Sequence, residues 1–225
     1  MTGQARDQHA PAPRLAGTRR LADDLYLMAH HETTGRPLLQ PRAAGLGLAG
    51  ALLAELILAG AIEIAAGQVA VAVAALPGDG LAGEVLGQVH GEHAQHPAQT
   101  WLAVLARTAP AGVARRLEQS GYLTRVSARW PWSGQRWVPV DADCAFAPVA
   151  RIKSALNPSR PATAQGAALA GLAAACGLGS RLALYLPPGS RRRVDEVTRR
   201  LDPGLQDLIA QTQAAVDGAV LSHRA

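Results

Sequence analysis

Three histidines recur at intervals of three in the stretch HGEHAQH, as His90, His93 and His96. Imidazole is a common ligand for transition metals, so this triplet raises metal chemistry first. The spacing argues against it. Each step of three residues turns a helical side chain by about 300°, so the rings drift around the helix rather than converge. No H-E-x-x-H pattern is present. A solvated helix end is the simpler meaning, and no metal or other cofactor is expected. His30, His31 and Glu32 close the first helical segment, where histidines complement the negative end of the helix dipole without any catalysis. Cys144 and Cys176 sit in apolar surroundings outside any C-x-x-C motif and read as buried free thiols in a reducing compartment. Nucleophile-elbow, phosphate-loop and dinucleotide signatures are all missing, so the chain is not expected to be an enzyme.

The more informative chemistry lies in ARWPWSGQRW. Trp130, Trp132 and Trp137 crowd one turn, with Arg129 and Arg136 beside them. On a strand of period two, Trp130 and Trp132 share a face. An indole suits the boundary of a lipid headgroup layer, and a guanidinium suits lipid phosphate. Core packing is an equal reading of the same tryptophans. A wing against the DNA backbone would use the same residue types.

Basic side chains outnumber acidic ones, 22 to 17, and all but Lys153 are arginine. The resulting pI near 10.0 is compatible with nucleic acid or an anionic membrane surface. Arg191, Arg192, Arg193, Arg199 and Arg200 share one segment with Asp195 and Glu196. A solvated, salt-bridged face is the ordinary meaning of such a run, with an anion-binding face as the alternative.

These residues must be held by mainly helical structure. Hydrophobic residues make up 48% of the 225 and aromatics only 4%, so the core is built from Leu, Ala, Val and Ile. Such a composition favours helix. The first twenty residues carry two prolines and no apolar segment, so 1–18 reads as a disordered lead-in and not a signal peptide. A first helix follows over LADDLYLMAHH, with Asp23 and Asp24 in the turn where carboxylates suit the dipole. Pro41 can open a long helix that stops at Gly60. Its apolar stretch, Ala43 to Ile62, is rich in Ala and Gly and carries Glu55, so it reads as a core helix and not a membrane span. A hairpin over IEIAAGQVAVAV comes next. Helices are expected over about 81–94 and 97–107 and at VARRLEQSG, then a second hairpin tipped by Ser133-Gly134. Helices return at about 147–156, 162–177 and 190–201, and from about Pro203 to Ser222. No linker divides residues 19–225. The expected fold is mainly α, a single globular helical domain with short β-hairpins.

The order LADDLYLMAHHETTGRP, LAGALLAELILAGAIEI, VARRLEQSGYLT resembles the Golgi phosphoprotein 3-like family. The middle motif, Leu48 to Ile62 with Glu55 and Gly60, is the most specific, and the resemblance runs over roughly residues 20 to 222. It implies a mostly helical domain and a peripheral Golgi membrane protein. Such a protein binds phosphatidylinositol 4-phosphate and links membrane to glycosyltransferase tails or motors. The Ala- and Arg-rich, Lys-poor chain is similar to bacterial members, of actinobacterial type. The family's lipid pocket uses a Trp and three Arg, whose positions fall on or near Gln40, Ala49, Ala109 and Gly112. None matches, and those roles are not carried over. Arg42, Arg115 and Arg116 lie nearby in sequence and are the candidate lipid or anion site in their place. The family's second-hairpin loop dips into the bilayer, which implies a membrane contact at Arg129, Trp130, Trp132, Arg136 and Trp137.

The expected function is therefore a non-enzymatic adaptor, cytoplasmic and peripherally attached to membrane. Its expected partner is an anionic phospholipid headgroup or membrane surface; a protein partner and self-association are both compatible. The alternative is a winged-helix DNA binder, since helix, strand, turn, strand occurs twice. A recognition helix exposes polar and basic side chains to base edges. LLAELILAG is too apolar for that, and VARRLEQSG offers only Arg115 and Arg116, so nucleic acid is disfavoured.

Overall fold

The structure is a computed structural model and describes residues 20–73, 80–92, 94–126 and 136–222. Among these there are ten helices, nine of them arranged around a central one, and two small antiparallel sheets sit at the periphery. This is the expected mainly helical fold with hairpins.

The central helix is α2, Pro41–Leu58. Pro41 occupies its first turn, where the missing N–H is harmless and φ is already helical. Gly60, at φ +68°, lets the chain leave in the left-handed conformation. The helix is long and apolar enough to cross a membrane by length and composition, but 67% of that window is buried inside the protein. Leu48, Leu52, Leu53 and Leu56 are enclosed, each contributing about 1.5–3 kcal/mol of burial. The small residues have a matching purpose. Gly45 faces the Ala106 carbonyl, Gly47 the Cys176 sulfur and Gly50 the Thr212 hydroxyl; a Cβ on them would meet those atoms at 2.4, 2.2 and 2.6 Å. Glycine thus lets three neighbours approach α2 from three sides.

The helices packed on α2 include α1 (Leu21–Met28), α4 (Ala98–Leu105), α5 (Ala109–Gln119), α7 (Ala164–Ala175) and α10 (Pro203–Leu221). α3 (Gly80–Gly91) packs on α2 and α5, and α9 (Ser190–Thr198) on α7. One continuous hydrophobic core joins them. Cys144 and Cys176 are buried free thiols, and burial pushes the Cys176 thiol up to about 12.

β1 (Ile62–Ala65) and β2 (Gln68–Val71) form the first hairpin, with Ala66 and Gly67 both at positive φ, as a tight two-residue turn requires. A two-residue strand, β3 (His96–Pro97), extends the sheet by pairing with β2. Two residues carry no alternation to read, so this strand has no sequence signal. It also removes His96 from a shared helix with His90. α6 (Ala142–Ala155) begins earlier than expected, because the Asp141 carboxylate accepts from the Cys144 N–H at 2.7 Å and caps it. α8 (Gly179–Leu182) is a single turn with no periodicity to betray it. The second hairpin pairs β4 (Leu123–Val126) with β5 (Arg136–Pro139). Its expected tip, with Arg129, Trp130 and Trp132, lies outside the described residues, as does the 1–18 lead-in.

Candidate functional site

Helix α5 sends two side chains in opposite directions. Arg116 and Glu118 are two residues apart, so their directions differ by about 200°. Arg116 points inward. Its Nε donates to Asp23 Oδ1 at 2.8 Å, and its Nη1 and Nη2 donate to the two Glu55 oxygens at 3.2 Å each. Glu55 Oε1 also accepts the Ala22 N–H at 2.8 Å, one of the amides left unpaired at the start of α1. Beside this group, Arg151 of α6 pairs with Asp24. Asp23, Asp24 and Arg116 are only 2%, 0% and 5% exposed. Burial pushes the Asp23 carboxyl up to about 6 despite the opposing pull of Arg116, and the nearby Glu55 charge adds to the rise.

Asp23 and Asp24 stand in the first turn of α1, as expected, and there they are also internal counter-ions joining α1 to α5 and α6. Arg116 is committed to Asp23 and Glu55, leaving no fork for an external anion. Periodicity places a side chain on a face but does not say that a partner's carboxylate waits there.

Glu118 points outward and organises the second hairpin. One of its oxygens accepts from Arg125 Nη2 at 2.9 Å and from the Trp137 indole Nε1 at 3.2 Å. The Arg125 guanidinium lies over the Trp137 ring, 5.6 Å from its centroid. From the other side, Gly35 at φ +61° comes so close that a Cβ would sit 2.0 Å from the Trp137 carbonyl oxygen. Trp137 is half-buried against the core and supports the base of the hairpin. Arg136 and Val126 are exposed at the same base. The neighbouring ion pairs hold the Glu118 carboxyl below its ordinary range, the Arg125 hydrogen bond being the largest cause.

The predicted anion site does not assemble as a unit. Arg115 is exposed on α5, with Nε donating to the Ala111 carbonyl at 3.4 Å. Arg42 is exposed at the start of α2, thirteen residues before Glu55, or about 20 Å along the helix axis. Arg107 is a cation that sequence reading passed over. It is exposed next to Ala106, whose carbonyl lies against Gly45, one turn from Arg42. The Gly45–Ala106 contact packs together the segments that carry the two arginines, and a lone Arg at a helix end carries no such hint.

Elsewhere, two of the described histidines pack against neighbouring rings. His30 is half-buried, stacked on Tyr26 with centroids 4.0 Å apart, and its Nδ1–H donates to the Tyr26 carbonyl at 2.7 Å. Burial lowers its pKa, opposed in part by its hydrogen bond to the Tyr26 carbonyl. His96 lies 3.6 Å from Glu92 and edge-on to Trp101. Among the described residues no cluster of three metal-ligating side chains occurs. In α9, Arg193 pairs with Glu196 at 2.6 Å, while Arg191, Arg192, Arg199 and Arg200 are exposed.

A family model described as Golgi phosphoprotein 3 (GPP34) matches residues 21–219, from the first residue of α1 into the last helix. The chain belongs to that family. A comparison with curated proteins returns no match. Within the Golgi phosphoprotein 3 fold, the positions named above for a headgroup pocket are filled by other means. Ala49 and Ala109 are enclosed, Gly112 is covered by the Leu81 side chain, and Gln40 is exposed. No cation stands at any of the four.

Proposed function

We propose that this protein is a non-enzymatic, peripheral membrane-binding adaptor that attaches to anionic phospholipid through the β4–β5 hairpin and exposed arginines. The carrying observation is the clamped hairpin base. Glu118, Arg125 and the close Gly35 backbone hold Trp137 rigidly, so the segment between the strands has a fixed platform. That segment holds Arg129, Trp130 and Trp132, a composition suited to the headgroup boundary. Arg136 at the base, Arg115 on α5, and Arg42 with Arg107 at the other end of α2 supply attraction to an anionic surface, worth about 1 kcal/mol per cation near the membrane. Family membership supports the reading, since the resemblance implies phosphoinositide binding at Golgi membranes. Apolar or uncharged residues at Gln40, Ala49, Ala109 and Gly112 support charge-driven binding without selectivity for phosphatidylinositol 4-phosphate. The continuous core supports treating residues 19–225 as one domain, and the reading puts it on the cytoplasmic side of its membrane.

A DNA-binding role has less support. α2 is buried over most of its length, and α5 turns Arg116 inward, so neither helix offers a basic recognition face.

Vesicle co-sedimentation tests the proposal, with neutral lipid, anionic lipid, and anionic lipid of equal charge containing phosphatidylinositol 4-phosphate. Binding to both anionic sets, lost in Trp130→Ala/Trp132→Ala and weakened with a shallower salt dependence in Arg42→Ala/Arg107→Ala, is the expected result. A parent chain that pellets with no vesicle at low salt would sink the membrane reading.

A further inference from the structure

The far end of α6 encloses a feature that the membrane reading does not use. Between the last turn of α6 and the loop leading into α7 lies an open cavity of about 390 Å³. Its polar lining residues are Arg151, Arg160, Ser154, Thr163 and Gln165, with no carboxylate among them; the Thr163 hydroxyl also accepts the Gly166 N–H as the cap of α7. We infer that this cavity is a binding site for a phosphoryl group carried on a small molecule.

The residue types fit that chemistry. Planar guanidinium forks match the tetrahedral oxygens of a phosphoryl group, and hydroxyl and amide donors complete its coordination. The two arginines have different parts. Arg151 is pinned by Asp24, a wholly buried carboxylate of α1, so its head is held in place at the cavity wall. Arg160 is exposed and has no carboxylate partner among the described residues, so it brings uncompensated positive charge. An empty volume of this size exceeds a bare phosphate and falls in the range of small-molecule pockets. Ala155 and Pro161 supply apolar wall for the remainder of the ligand.

Position narrows the source. β5 ends just before α6 begins, and the cavity is at the opposite end of that helix, about 20 Å away along the axis. A protein seated on a bilayer through the segment between β4 and β5 would have this cavity about one helix length from the base of that hairpin. The geometry favours a soluble phosphate ester over a headgroup in the same membrane, and the inference does not depend on the hairpin binding membrane at all.

The test titrates the full chain with inorganic phosphate and with glycerol phosphate by calorimetry, at constant ionic strength, and compares Arg160→Glu and Ser154→Ala. Both substitutions are at solvent-accessible positions, and matched thermal melts establish that they fold. Saturable binding that Arg160→Glu weakens at least tenfold, and Ser154→Ala less, is the expected outcome. A second arm uses vesicles bearing a phosphorylated headgroup. If Arg160→Glu loses vesicle binding, the phosphoryl site stands with a lipid as its source; if only the soluble esters respond, the source is a free metabolite. Absence of saturable binding in both arms, or binding that Arg160→Glu leaves unchanged, overturns the inference.

Discussion

The two faces of α5 pair the same residue types to opposite ends. Inside, Arg116 meets Asp23 and Glu55 where water is excluded. Outside, Arg125 meets Glu118 in solvent and leans on Trp137. The inner pair ties helices together and is unforgiving, because removing one partner strands a buried charge. The outer pair is cheap to lose as an ion pair but sets where a tryptophan stands. Identical chemistry is thus structural or positional according to its dielectric surroundings, and residue type alone does not distinguish the two.

Breaking the inner face has the largest expected effect. Arg116→Met leaves Asp23 and Glu55 without their cation and should cost about 3–5 kcal/mol in urea denaturation. Arg115→Ala, one residue away on the exposed side, should stay within about 0.5 kcal/mol. Equal effects from the two would erase the distinction drawn here.

Proton linkage sharpens the same contrast. The Asp23 carboxyl titrates near 6 when folded and near 3.8 when unfolded, so the folded chain holds that proton more tightly. Its contribution to stability is fully present below the unfolded value and is lost as pH rises through the folded one, a change on the order of 3 kcal/mol. Glu32 and Asp141 are held low and contribute slopes of the opposite sign, lost as pH falls. The readout is therefore the difference between the parent and Asp23→Asn from about pH 4 to about pH 7. A flat difference would mean that Asp23 is not the group that takes up the proton.

On the outer face, Gly35→Ala forces a side chain into positive φ and onto the Trp137 carbonyl. The expected loss is about 1–3 kcal/mol, concentrated in the hairpin. Amide exchange should quicken over 123–126 and 136–139 while α2 stays protected. Uniform loosening of the whole chain would show that the hairpin base is not a separable unit.

Much of the architecture could be read from pattern. Pro41 and Gly60 bracket α2, the Val and Ile alternation marks the first hairpin, and the order of motifs carries the family. What pattern could not supply was direction relative to partners far along the chain. Arg115 and Arg116 are equivalent in the sequence, and only the carboxylates of α1 and α2 make them different. Glu55 reads as an anomaly in an apolar run until Arg116 and the Ala22 amide are seen against it. β3 and α8 are too short to have a period. The packing of Gly45 against Ala106, next to Arg107, is a contact that no local rule predicts.

The inner ion pairs also bear on how the chain is made. Asp23 meets its cation 93 residues later, and Asp24 meets Arg151 after 127. At ordinary elongation rates of about 5–20 residues per second, the acidic face of α1 waits roughly 5–20 s for Arg116 to be synthesised. During that interval the apolar side of α1 has no finished core to join. A chain shorter than 116 residues therefore lacks both of the cations that the buried carboxylates of α1 are paired with in the finished fold.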